Sequence, residues 1–178
     1  MKKLITAVMV NSLVFTSVVY AGQEVIKKNI KENEIECLAL NIYFETKAVS
    51  LADAMAVTDV VLNRANHAHY PNDICSVVYQ AKTDSNGFPK KHKCQFSWYC
   101  DGRADTPTDS TAWERSRKFA RDMYVHRSYI GITEGATHYH ATYVKPRWSK
   151  QLDRIAQIGS HIFYRMKDLE AADHSHSG

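Results

Sequence analysis

Glu45 is the residue whose position most invites chemistry. Ile35, Leu38, Ala39 and Ile42 recur at the spacing of one helix face, which predicts a helix from Ile35 to about Thr46 with that face in a core. Glu45 follows Ile42 by three positions and Leu38 by seven, so its carboxyl lies on or beside the buried face. Loss of solvation disfavours the ionised form of such a carboxyl and raises its pKa. A carboxyl still protonated near neutral pH can donate to the departing sugar oxygen as a glycosidic bond breaks. The competing reading is a helix-end carboxylate that faces water.

Two other groupings carry polar chemistry. In Cys94-Gln95-Phe96-Ser97-Trp98-Tyr99-Cys100, hydrogen-bonding and ring side chains alternate between two cysteines. Trp98 would offer a flat face to a pyranose ring, and Gln95 and Ser97 hydrogen bonds to its substituents. A disulfide-pinned core turn is the alternative. His138 and His140 stand two apart in a stretch where Tyr139, Ala141 and Tyr143 alternate with His138, His140 and Thr142, a strand pattern that puts both imidazoles on one face. H-x-H needs a further metal ligand, and none has diagnostic spacing nearby, so a polar strand face lining a cleft is the expectation. Asp53 reads as a helix cap, and no spacing nominates Asp59, Asp101 or Glu134 as a second acid. No cofactor is expected.

Several elements must position these residues. Ser50 and Asp53 form a capping pair ahead of Ala54, Val57, Val60, Val61 and Leu62, which predicts a second helix ending near Arg64 to Asn66. Residues 67–107 read as mainly loop with short ordered pieces. A further helix is expected from Thr111, with Glu114 as reciprocal cap and Trp113, Ala120, Met123 and Tyr124 as its apolar stripe. Ser160 to Tyr164 can pair with the histidine strand.

Lys2 and Lys3, an apolar stretch from Leu4 to Val19 and the small residue Ala21 have the layout of a secretory signal, which would make this an exported protein without stable membrane insertion once the signal is removed. The expected division is a signal at 1–21, a polar lead-in at 22–34, one catalytic domain at 35–167 and a mobile polar tail at 168–178. Removing residues 1–21 takes two lysines from a net charge of +4, leaving too weak a positive balance to indicate nucleic acid. A monomer is expected. Cys37, Cys75, Cys94 and Cys100 are even in number, contain no C-x-x-C pair and suit disulfides in an oxidising compartment. Three pairings are open, among them a Cys75–Cys94 closure worth roughly 3 kcal/mol on the chain-entropy model.

Four stretches together resemble one family: residues 39–45 (ALNIYFE), 54–64 (AMAVTDVVLNR), 95–98 (QFSW) and 135–140 (GATHYH). With residues 71–80 (PNDICSVVYQ), 144–148 (VKPRW) and 158–164 (IGSHIFY), the chain is similar to the SleB-like cell-wall hydrolases over roughly residues 37–165. The resemblance implies an α+β, mainly α, lysozyme-like helical domain with a small antiparallel β-sheet. It also implies action on peptidoglycan glycan strands between N-acetylmuramic acid and N-acetylglucosamine, in the manner of a lytic transglycosylase. By that resemblance Glu45 would be the catalytic acid; the residues themselves nominate Gln95, Ser97, Trp98, His138, Tyr139, His140 and Trp148 as substrate contacts. Thr46-Lys47-Ala48-Val49 departs from the family, whose members often carry a small or basic residue, then a glycine and an acid. Two other classes compete. One is a non-catalytic wall-binding module gripping glycan with Trp98, Tyr99 and Trp148; the other is a metal-dependent amidase or peptidase using His138 and His140.

Overall fold

The computed structural model describes residues 6–46 and 50–167, with side chains from residue 23 onward. The tail after 167, most of the departing segment after Thr46, and the side chains of the signal-like stretch lie outside the described residues. Helix α1 runs Thr6–Thr46, so the expected polar lead-in and the first core helix belong to one element. The chain divides into two compact units, residues 1–34 and 35–178. Among the described residues, no helix is long and apolar enough to cross a membrane.

The second unit is built on α2 (Leu51–Ala65), which begins as its sequence requires, with Ser50 accepting from the Asp53 amide. This helix is apolar on two faces. Met55, Val61 and Leu62 join a core with Ile35, Leu38 and Ile42 of α1, Val77 and Val78 of α3 (Ile74–Val78), and Ala120 and Met123 of α4 (Ser110–His126). Ala56 and Val60 pack instead with Ala136 and Phe163 on the sheet side. Helix α4 starts one residue before the expected Thr111. Its cap is Asp109, which accepts from the Ala112 amide, while Glu114 pairs with Arg117.

The long middle segment is stapled and partly regular. Strands β1 (Ala81–Thr83) and β2 (Pro89–Cys94) form a hairpin, followed by a 3-10 turn at Ser97–Cys100. Cys37 pairs with Cys75 and Cys94 with Cys100, so the Cys75–Cys94 closure does not form. The Cys37–Cys75 bridge ties α1 to α3 across 38 positions. Strands β3 (His138–Ala141), β4 (Asp153–Ile158) and β5 (His161–Arg165) make an antiparallel sheet in the order β3-β5-β4, with a second 3-10 turn at Arg147–Gln151 before β4. Tyr139 faces Phe163 across the ladder, as expected for pairing of these two stretches. Strand β4 has no counterpart among the elements expected from the sequence.

Candidate active site

The site forms where the end of α1 meets the sheet. Three side chains of α2 set that meeting by gripping the loop that enters β3. Asp59, fully buried, accepts from the Gly131 amide at 2.8 Å and from the Thr133 amide and hydroxyl at 2.9 and 2.6 Å. Asn63 donates to the Thr133 hydroxyl and, at 3.0 Å, to the Ala136 carbonyl. Arg64 donates from Nε to the Thr137 carbonyl at 2.7 Å. These bonds satisfy backbone groups of a loop that has no ladder of its own, and they deliver β3 in a fixed register.

That register aims Tyr139 at Glu45. The tyrosine hydroxyl donates to Glu45 Oε2 at 2.9 Å. Glu45 keeps partial solvent access, yet protein atoms crowd it, and this burial raises its pKa above the ordinary 4.5. The Tyr139 hydrogen bond and the charges of His161 and Arg64 work in the opposite direction without cancelling it. Burial and the Glu45 carboxyl hold the Tyr139 phenol well above the usual tyrosine range, so it stays a donor. With Oε2 engaged, Oε1 is the oxygen placed to carry a transferable proton.

Arg64 is the cation of this cluster. Its guanidinium is buried, 5.4 Å from the Tyr70 ring and 5.3 Å from the Phe96 ring, and its Nη1 has no hydrogen-bond partner among the described residues. An unpaired N–H of a buried cation is costly, and here it lies within electrostatic reach of Glu45. On the opposite face of β3, His138 and His140 both approach the Trp148 ring, at 5.4 and 5.6 Å. Burial and the Arg64 charge lower the His138 pKa to about 4, leaving a neutral imidazole at neutral pH. His140 Nδ1 meets the Ala141 carbonyl at 2.8 Å and Nε2 the Tyr164 hydroxyl at 2.9 Å. The two histidines thus share one face, and both nitrogens of His140 are already engaged.

The expected contacts from the cysteine-flanked stretch fall differently. Trp98 is 6 % exposed, stacked on Phe44 at 4.8 Å and bonded through its indole N–H to Asn41 at 3.1 Å. It belongs to the core and has no free face for a sugar. Of the two readings left open for this stretch, the disulfide-pinned core turn is the one that forms: Cys94–Cys100 closes it, and the 3-10 turn at Ser97–Cys100 buries Trp98 while Gln95 and Ser97 stay exposed. Neither Gln95 nor Ser97 joins the Glu45 cluster. Asp101 accepts within its own turn, and Glu134 is exposed. The residue pattern assigns no role to Arg64 or His161, although both lie in the stretches of resemblance, and marks Asp53, one residue before such a stretch, only as a cap.

A sequence profile of the cell wall hydrolase family matches residues 50–164, beginning just after Glu45. The spore cortex-lytic enzyme of Halalkalibacterium halodurans is 26% identical over 133 residues, 74% of this chain, which spans about a third (34%) of that relative's length. Among solved structures, the catalytic domain of the Bacillus cereus SleB protein aligns at a TM-score of 0.54 with 24% identity, covering 75% of this chain and 90% of that one. The catalytic domain of the germination-specific lytic transglycosylase SleB from Bacillus anthracis aligns at 0.53 with 23% identity, covering 75% and 94%. The α+β, mainly helical architecture with its small antiparallel sheet is the one these domains share.

Proposed function

Because this chain belongs to the cell wall hydrolase family, we propose that it cuts the glycan strand of peptidoglycan between N-acetylmuramic acid and N-acetylglucosamine, with Glu45 as the acid. The observation that carries this reading is the crowded Glu45 carboxyl, its pKa raised by burial and one oxygen held by Tyr139. That is the state a general acid needs before a sugar oxygen leaves.

In this mechanism Glu45 passes its proton from Oε1 to the oxygen linking the two sugars as the muramic C1–O bond breaks. The carboxylate left behind faces the Arg64 charge and keeps the Tyr139 hydrogen bond, so negative charge develops where donors are already oriented. The muramic C6 hydroxyl then attacks C1, and its proton returns to Glu45, closing a 1,6-anhydro ring and restoring the acid. Hydrolysis would place water in that second step, with a second carboxylate normally at hand. Among the described residues no other carboxylate bonds to Glu45 or Tyr139. Asp59 is committed to the loop before β3, which favours the transglycosylase route. The Trp148 ring beside His138 and His140 supplies a partly exposed aromatic surface for a pyranose on the other face of β3. Export to the wall, from a signal at residues 1–21, fits both the substrate and the two disulfides.

The test is purified peptidoglycan incubated with the full chain. Soluble sugar fragments should appear, and the turbidity should fall with or without chelator. Sedimentation of the protein with the wall and no fragment release would favour the binding-module reading, and loss of release on chelation the metal amidase or peptidase.

A further inference from the structure

Asp53 and His161 form a second polar assembly that the acid mechanism does not use. Asp53 is 7 % exposed, and its Oδ1 gathers the Ser160 amide at 3.0 Å, the Ser160 hydroxyl at 3.4 Å and His161 Nδ1 at 2.9 Å. The carboxylate packs so closely on Gly159 that a Cβ there would collide with it, and Gly159 also has a φ of +54°. The turn between β4 and β5 is therefore shaped around this aspartate. Burial opposes its ionisation, but the hydrogen bonds from His161, Ser160 and Ser50 hold its pKa below the usual carboxylate value. An ionised Asp53 fixes the proton on His161 Nδ1 and with it the orientation of the ring.

The imidazole so held stands perpendicular to the Tyr139 ring, with centroids 5.2 Å apart and planes at 89°. Tyr139 also leans on Phe163, at 5.7 Å, and His161 lies 6.3 Å from the same ring. An apolar side chain at position 161 would fill this space beside two aromatics without burying an ionisable pair, which costs desolvation on both members. What an aliphatic residue would not provide is a ring fixed in orientation from α2 and an imidazole within electrostatic reach of Glu45.

We propose that Asp53 and His161 are positioning residues for the acid site: Asp53 fixes the imidazole, the imidazole braces the Tyr139 ring, and Tyr139 holds Glu45 in its donating geometry. The proposal rests on the reading of Glu45 as the acid and adds two residues to it. Among the described residues, the charged and titratable groups facing Glu45 are Tyr139 from β3, His161 from β5 and Arg64 from α2; those facing His161 are Asp53 from α2, Glu45 from α1 and Tyr139 from β3. Since the His161 charge lowers the Glu45 pKa, a neutral replacement raises it, and the pH at which the acid is lost moves upward.

The experiment measures fragment release from purified peptidoglycan across pH by the full chain carrying His161→Gln or Asp53→Asn, with Glu45→Gln in parallel and thermal midpoints recorded. In both positioning variants kcat should fall by roughly tenfold or more while KM stays within about twofold. The alkaline limb of the His161→Gln profile should also move to higher pH. A folded His161→Gln protein with wild-type kcat and an unmoved alkaline limb overturns the proposal, leaving the pair as a fastener of the β4–β5 turn. Should His161→Gln fail to fold, Asp53→Asn decides: a drop in kcat at unchanged KM supports positioning, and wild-type kcat overturns it. Glu45→Gln separates the two readings. An inactive Glu45→Gln beside an unaltered His161→Gln removes only the positioning role, whereas an active Glu45→Gln removes the acid itself.

Discussion

Glu45→Gln should abolish fragment release, a loss of roughly 10²- to 10⁴-fold or more, and at the same time make the folded chain more stable at alkaline pH. Glutamine keeps the shape and can still accept the Tyr139 hydrogen bond, so the fold has no reason to fail. What it lacks is a proton to give. The stability effect follows from the raised pKa of Glu45 in the folded state. Below the ordinary value of 4.5 the carboxyl is protonated whether the chain is folded or not, and the two proteins should melt alike. As pH rises the unfolded chain ionises first, and the folded wild type pays for keeping a crowded carboxyl until pH passes the raised pKa. The stability present at acid pH is lost across that window. Glutamine does not titrate, so the variant's advantage should grow through the window and then level off, at about 1.4 kcal/mol for each pH unit between the folded and unfolded pKa values. Thermal midpoints of both proteins at pH 4 and pH 8 check this. A variant equally stable or less stable at pH 8 would mean that Glu45 is not desolvated in the way the geometry requires.

Arg64→Met should give the other large effect, on rate and stability together. Methionine fills much of the volume but leaves the Thr137 carbonyl without its donor and removes the cation from the Tyr70 and Phe96 rings. An orphaned buried acceptor costs about 1–3 kcal/mol. The rate should fall by about 10²- to 10³-fold, because the carboxylate formed on Glu45 loses the cation nearest to it on α2. Losing that charge also raises the Glu45 pKa, so the remaining activity should persist to higher pH than in the wild type. Arg64→Lys should recover little, since a single ammonium cannot hold the Thr137 carbonyl and present a second oriented donor. Assays run well below each variant's melting midpoint separate the rate from the fold. An Arg64→Met protein that is folded and fully active would remove Arg64 from the chemistry.

Much of the helical frame was legible because its signals are local. The Ile35, Leu38, Ala39 and Ile42 stripe, the Ser50 cap and the buried run of α2 each depend on neighbours within a turn or two. The strand holding His138 and His140 was legible from its alternation, and so was its pairing with the stretch around Phe163. Between Cys94 and Cys100 the sequence left a sugar groove and a core turn equally open, because alternating ring and polar side chains do not say which rings are buried; the burial of Trp98 in a 3-10 turn decides for the core turn. Strand β4 was missed because only part of Asp153–Ile158 alternates, and its hydrogen bonds come from β5. The site was the least legible part. Tyr139 and Glu45 are 94 positions apart, and Asp53 and His161 are 108 apart, so no spacing relates them. Asp53 was hidden a second time by the capping motif, since its amide satisfies Ser50 while its side chain goes elsewhere.

Mass spectrometry of the sugar ends released from purified peptidoglycan distinguishes attack by the muramic C6 hydroxyl from attack by water. A single acid, with the muramic C6 hydroxyl as the attacking group, predicts 1,6-anhydromuramic ends that carry no added water. Products bearing only reducing ends with one water added would contradict that chemistry and require a water-activating partner for Glu45.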